Sequence, residues 1–126
     1  MIFGQEINLL KDFYRDHFGF SVVEEIPHQW VVLSEGAMEI ALHKVGPGYE
    51  SEPGTFRAES NTKLIFKIDG DLPAFRQKLI SDGVTVHEIK SFDGFPSLFC
   101  DGEDPEGNIF QLEQPLPGRI NDYSAG

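Results

Sequence analysis

The stretch Asp101–Pro115, DGEDPEGNIFQLEQP, restricts the possible folds more than any other part of the chain. Asp104-Pro105-Glu106-Gly107 has the chemistry of a β-turn, because Pro105 presets φ at the second turn position and Gly107 tolerates positive φ. A strand must follow. In Asn108-Ile109-Phe110-Gln111-Leu112-Glu113, Phe110 and Leu112 fall on one face and Gln111 and Glu113 on the other, the two-residue period of a half-buried strand. The earlier segment Gly36–His43 repeats the design, with Met38, Ile40 and Leu42 on one face and Glu39, Ala41 and His43 on the other. The chain therefore reads as two copies of one module.

The rest of the sequence fits that reading. Ile2 and Phe3 open a short first strand, and Leu9, Leu10, Phe13, Tyr14, His17 and Phe18 recur at helical steps, with Glu6 or Asn8 near the start and Gly19 just past the end. Phe20–Ile26, Gln29–Ser34 and Met38–His43 are three strands, separated by Pro27-His28 and Glu35-Gly36. Residues 44–60 carry no period and are long for an ordinary connection, so they form a linker or a lid, with Tyr49 and Phe56 as its aromatic groups. Lys63–Ile68 then alternates as a strand. Asp71 caps a second helix that buries Leu72, Phe75, Leu79 and Ile80, and Val84–Ile89, Ser97–Cys100 and Asn108–Glu113 supply three more strands. The expected organisation is a single α+β domain: a βαβββ module over 1–43, a linker or lid over 44–60, a second βαβββ module over 61–115 and a loose tail over 116–126.

With 126 residues, 40% hydrophobic and 25% charged, the chain can bury a core without disulfides, and Cys100, its only cysteine, reads as a buried, inert thiol. The net charge of −11 argues against nucleic acid and anionic membranes as partners and admits a cationic ligand. No apolar run approaches the roughly 20 residues that span a bilayer, which together with the lone cysteine points to a cytoplasmic setting. Strand edges and flat sheet faces in such small modules suggest a homodimer.

The tandem βαβββ pattern, with Phe13-Tyr14 ahead of Phe18-Gly19-Phe20 and the DPEGN turn before the last strand, resembles the vicinal oxygen chelate superfamily. That group includes glyoxalase I, extradiol dioxygenases, fosfomycin-resistance enzymes and bleomycin-resistance proteins, which share a fold and differ in chemistry. The resemblance implies two modules curling their sheets around one cleft. It also implies that metal-binding members draw ligands from the first and fourth strand of each module, where a divalent ion polarises vicinal oxygens. Those positions hold Gln111, Ala41 and Lys63 here, and the fourth falls ahead of Met1. The family's metal site is expected to be absent, and no cofactor is expected.

Strand alternation instead gives the cleft a mixed polar lining of Glu39, Ala41, His43, Lys63, Ile65, Lys67, Gln111 and Glu113. His43 is the candidate general base, because an imidazole with a pKa of about 6.5 exchanges protons near neutral pH, or else a solvated rim residue. Trp30 can stack a ligand or pack between strands. Lys63 and Glu113 can pair with each other or meet a ligand, and Gln111 serves as an amide hydrogen-bonder. His17 and His28 read as structural or exposed, and His87 as a strand residue of unknown facing. The ligand-binding candidates are thus Trp30, Glu39, His43, Lys63, Gln111 and Glu113. Two functions compete: metal-independent binding of a small molecule in the cleft, as in the bleomycin-resistance branch, and a glyoxalase-like lyase or isomerase using His43 with a non-standard or absent metal.

Overall fold

The computed structural model describes residues 1–59 and 61–116, so the expectation for the tail lies almost wholly outside the described residues. The elements follow the order β1 (Ile2–Gly4), α1 (Ile7–Phe18), β2 (Ser21–Ile26), β3 (Trp30–Glu35), β4 (Met38–Lys44), β5 (Lys63–Lys67), α2 (Leu72–Ser81), β6 (Lys90–Ser91), β7 (Ser97–Glu103) and β8 (Ile109–Pro115). They build two four-stranded sheets, ordered β1-β4-β3-β2 and β5-β8-β7-β6. In each sheet the first strand pairs in parallel with the fourth, and the remaining pairs are antiparallel. The repeat read from the sequence is thus a repeat of topology, and the fold class is α+β in two modules. No described helix is long and apolar enough to cross a membrane.

Two compact units result among the described residues, one of Met1–Ala58 with Pro105–Gly107, the other of Glu59–Asp104 with residues 108–116. In the first, α1 lies on β3 and β4. The buried side chains include Ile7, Leu10, Phe13 and Tyr14 from the helix and Val31, Leu33, Ile40 and Leu42 from the strands, the faces that period-two and period-3.6 counting assign to a core, and Val32 on the other face of β3 is buried as well. Each such side chain contributes about 1.5–3 kcal/mol by leaving water. Gly19 ends α1 at φ 73°; its N–H donates to the Arg15 carbonyl at 3.2 Å, and the Phe20 N–H donates to the Tyr14 carbonyl at 3.4 Å. In the second unit α2 lies on β7 and β8, and Leu72, Leu79, Cys100, Phe110 and Leu112 are buried. Asp71 caps α2 as its sequence position requires, accepting the Ala74 N–H at 3.0 Å.

One feature departs from the sequence reading. Val84–Ile89 is not a strand; it keeps an isolated bridge between Val86 and Gly102, and the ladder to β7 forms only at Lys90–Ser91. The His87 carbonyl accepts from Arg76 Nε at 2.8 Å and from Cys100 Sγ at 3.2 Å, so side chains occupy an acceptor that a continued ladder would have used. The start of α1 follows the reading. Glu6 is its N-cap but makes no side-chain cap, while Asn8 lies inside the helix and bonds His28 Nδ1 at 3.0 Å. His28 itself sits at φ 64° in the turn between β2 and β3.

Residues 44–58 are held within the first unit by specific bonds. The Gln5 amide donates to the Tyr49 carbonyl at 3.0 Å and accepts the Ser51 N–H at 2.8 Å, copying one rung of a β-ladder. The Ala58 N–H donates to the Glu106 carbonyl at 2.7 Å. Glu106, 5% exposed, also accepts the N–H groups of Gln5 at 2.8 Å and Glu6 at 2.7 Å on its two carboxylate oxygens. That carboxylate satisfies donors just ahead of α1 and stands at the positive end of the helix dipole. Glu106→Ala is expected to cost about 2–3 kcal/mol, the scale of charge-assisted bonds lost, with the Gln5 and Glu6 N–H groups left without that acceptor. Urea unfolding measures it; a change under about 0.5 kcal/mol, ordinary for a surface site, would show that the start of α1 does not depend on Glu106.

Candidate functional site

The face of the second sheet opposite its buried layer gathers the polar side chains that alternation placed there. Lys63, Ile65 and Lys67 project from β5, Gln111 and Glu113 from β8, and Ser97, Phe99 and Asp101 from β7. The registers that bring them together are Ile65 beside Gln111, Lys67 beside Glu113, Asp101 opposite Gln111 and Phe99 opposite Glu113.

Lys63 Nζ is 2.7 Å from Asp101 Oδ2, and Gln111 Nε2 donates to Asp101 Oδ1 at 3.1 Å. Burial pushes the Asp101 carboxyl up, but the hydrogen bonds from Lys63 and Gln111 and the Lys63 charge together outweigh it and hold the group below its ordinary 3.8. Of the two roles open to Lys63 and Glu113, pairing with each other is not the one seen: Lys63 pairs with Asp101. Glu113 Oε2 instead accepts from the buried Ser97 hydroxyl at 2.7 Å, because the β5–β8 register sets Glu113 beside Lys67 and leaves Lys63 within reach of Asp101.

Two cavities open on this face and share Phe99 and Gln111. One, of about 420 Å³, is mostly apolar, with Ile65, Phe95, Pro96 and Pro115 in its wall beside Lys67, Ser97 and Glu113. The other, of about 380 Å³, is lined by Lys63, Asp101, His87, Glu88, Lys90 and Phe92. Phe92, Phe95 and Phe99 form a cluster with ring centroids 5.9–6.4 Å apart, and Ile65, Phe92 and Phe95 remain about half exposed. Ser97, Phe99 and Asp101 were not singled out from the sequence. Extending the alternation of β7 outward from Cys100 would have found them. Phe92 and Phe95 lie in an irregular segment where no period could.

Trp30, Glu39 and His43 stand on the first sheet. Trp30 packs edge-on against His43 at 5.8 Å, and Phe3 lies 5.3 Å from the same imidazole. His43 Nδ1 donates to the Lys44 carbonyl at 2.7 Å, which leaves the lone pair of the neutral ring on Nε2. Glu39, in register with Ser34, is exposed. His17 is part of the α1 aromatic cluster, 5.0 Å from Phe13, and His87 Nε2 lies 3.5 Å from Glu103. The buried Cys100 thiol is pushed up by burial, partly offset by the charge of Arg76, as suits an unreactive group.

The divalent ion used by metal-binding relatives finds no matching donors here. Lys63 carries a positive charge at one expected position, Gln111 offers a neutral amide at another, and the adjacent Asp101 carboxylate is held by both. Among the described residues no three His, Cys, Asp or Glu side chains gather to hold a metal. Lys63→Met should raise the pKa of Asp101 toward its ordinary value, read by carboxyl-carbon NMR titration. A depressed folded pKa stabilises the native state above 3.8 and loses that contribution as pH falls through the folded value, so the variant should also show a flatter stability profile across that acid range. An unshifted titration would remove Lys63 from the network.

Comparisons with known proteins place this geometry. The fold matches a lactoylglutathione lyase from Agrobacterium tumefaciens, at 18% identity over 94% of this chain and 90% of that one, with TM-score 0.71. It also matches TnmS3, an antibiotic binding protein from a Streptomyces species, at 25% identity over 90% of each chain and TM-score 0.63. A third match is the fosfomycin resistance protein FosX from Listeria monocytogenes, at 11% identity over 94% of this chain and 91% of that one, with TM-score 0.70. No curated protein matches the chain. The family model described as Glyoxalase/Bleomycin resistance protein/Dioxygenase superfamily matches residues 1–112, and the chain belongs to that superfamily.

Proposed function

We propose that the protein binds a small organic molecule on the exposed face of its second sheet and does so without a metal ion. The observation that carries this reading is the Lys63–Asp101–Gln111 network. Lys63 and Gln111 stand at two positions where the resemblance implies metal ligands and both bond Asp101; all three line the cavity of about 380 Å³, and Gln111 also lines the adjoining, mostly apolar cavity of about 420 Å³. A concave apolar site with a few fixed polar groups is the usual form of a small-molecule site. The likeness to an antibiotic binding protein at 25% identity supports the same reading. Metal analysis tests it: protein incubated with Zn²⁺, Mn²⁺ or Ni²⁺ and dialysed should retain far less than one ion per chain, whereas one tightly held ion per chain would overturn metal independence.

A second reading, a lyase or isomerase, rests on His43. Its Nδ1 is engaged by a backbone carbonyl and its Nε2 is the basic atom, beside the Trp30 ring. Under that reading His43→Ala abolishes turnover and leaves the melting temperature nearly unchanged, because the side chain is exposed. A marked loss of stability would assign His43 to packing with Phe3 and Trp30 instead.

A further inference from the structure

The chain as a whole is strongly acidic, but the proposed site is not. Its two adjoining cavities take in Lys63, Lys67 and Lys90. Of the acidic groups lining the same cavities, Asp101 already accepts from Lys63 and Gln111, and Glu113 accepts from Ser97. Glu88 is the third. Two carboxylates are thus partly satisfied by protein donors, while an ammonium carries three donors and Asp101 engages one on Lys63. The Lys63 ammonium is held in place by its ion pair, so a ligand oxygen meeting it orders little that is not ordered already. Phe99 stands in both cavities, with Phe92 on the side of Lys63 and Phe95 on the side of Ile65. Phe92 and Phe99 thus offer flat apolar surface in the same cavity as the ammonium.

We infer that the ligand is an aromatic carboxylate, its ring against Phe99 and Phe92 and its anionic oxygens on the Lys63 ammonium. The inference rests on the reading of this face as a small-molecule site and adds the ligand's charge and shape. In effect a fixed ammonium receives the oxygens that a metal ion would receive in a metal-binding relative. The whole-chain charge, which by itself admits a cation, acts weakly at this distance because exposed charges beyond about 10 Å are screened at ordinary salt. Lys63 and its neighbours act at contact.

Three probes of one shape separate charge from ring: 2-naphthoate, 2-naphthalenemethanol and 2-naphthylmethylammonium, titrated into the full chain by calorimetry and followed by NMR shifts of Gln111 and Phe99. The expected order is naphthoate tightest, about tenfold or more over the ammonium, as for a charge-assisted pair. Lys63→Met should collapse that ratio toward unity, Lys63→Arg should restore it, and Phe99→Ala should weaken all three probes. If the alcohol and the ammonium bind this face as well as naphthoate, or if Lys63→Met leaves the ratio unchanged, the anionic assignment falls while the binding site stands. If no probe shifts Gln111 or Phe99, the assignment falls together with the reading of this face as a small-molecule site.

Discussion

The register of the β7–β8 hairpin is the constraint on which the candidate site depends. Asp104 sets it: Oδ1 accepts the Asn108 N–H at 2.9 Å, Oδ2 accepts the Asn108 amide at 2.8 Å, and the Asp104 N–H returns to the Asn108 carbonyl at 2.9 Å. Gly107 closes the loop at φ 85°, a conformation that other residues resist. With the turn fixed, Asp101 must lie opposite Gln111 and Phe99 opposite Glu113. A slip of one residue would send Phe110 and Leu112 out to solvent and turn Gln111 and Glu113 into the core, a change no half-buried strand tolerates. Close approach reinforces the register, because a Cβ at Gly102 would collide with the ring of Phe110 on β8.

That hairpin also explains how one superfamily fold can host different chemistry. The positions facing outward from β5 and β8 are set by backbone pairing, whatever side chains they carry. A carboxylate and an imidazole there can hold a metal; the same positions with Gln111 and Lys63 hold a neutral amide and a cation, and the neighbouring Asp101 binds both. A different donor set at these positions leaves the scaffold untouched, because its stability comes from the opposite faces of the same strands. Fold and function are separable here because alternate residues of one strand serve each.

Electrostatics operates on two scales in this molecule. The net charge of −11 describes the surface as a whole and bears on solubility and on which polyanions the protein avoids. The site's character is set within a few ångströms, by an ion pair at 2.7 Å and by which carboxylates already have donors. Whole-chain composition could not reveal that three lysines share one sheet face.

Much of the architecture was legible in the residues. The alternation in Met38–His43 and in Ile109–Glu113, the turn chemistry of Asp104–Gly107, the Asp71 cap and Gly19 each express a local rule, and local rules survive folding when every level agrees. The outward facing of Lys63, Gln111 and Glu113 came from the same period. What stayed hidden was pairing. Lys63 joins Asp101 rather than Glu113, Glu113 joins Ser97, and the loop aromatics Phe92 and Phe95 meet Phe99, because each contact depends on inter-strand register or on an irregular backbone. The failure of Val84–Ile89 to form a strand has the same origin: Arg76 and Cys100, distant in sequence, occupy the His87 carbonyl. Sequence by itself determined which face of each strand a residue occupies, since that follows from a two-residue period; tertiary structure alone decided which residues on that face meet, since that requires the strands to be laid side by side.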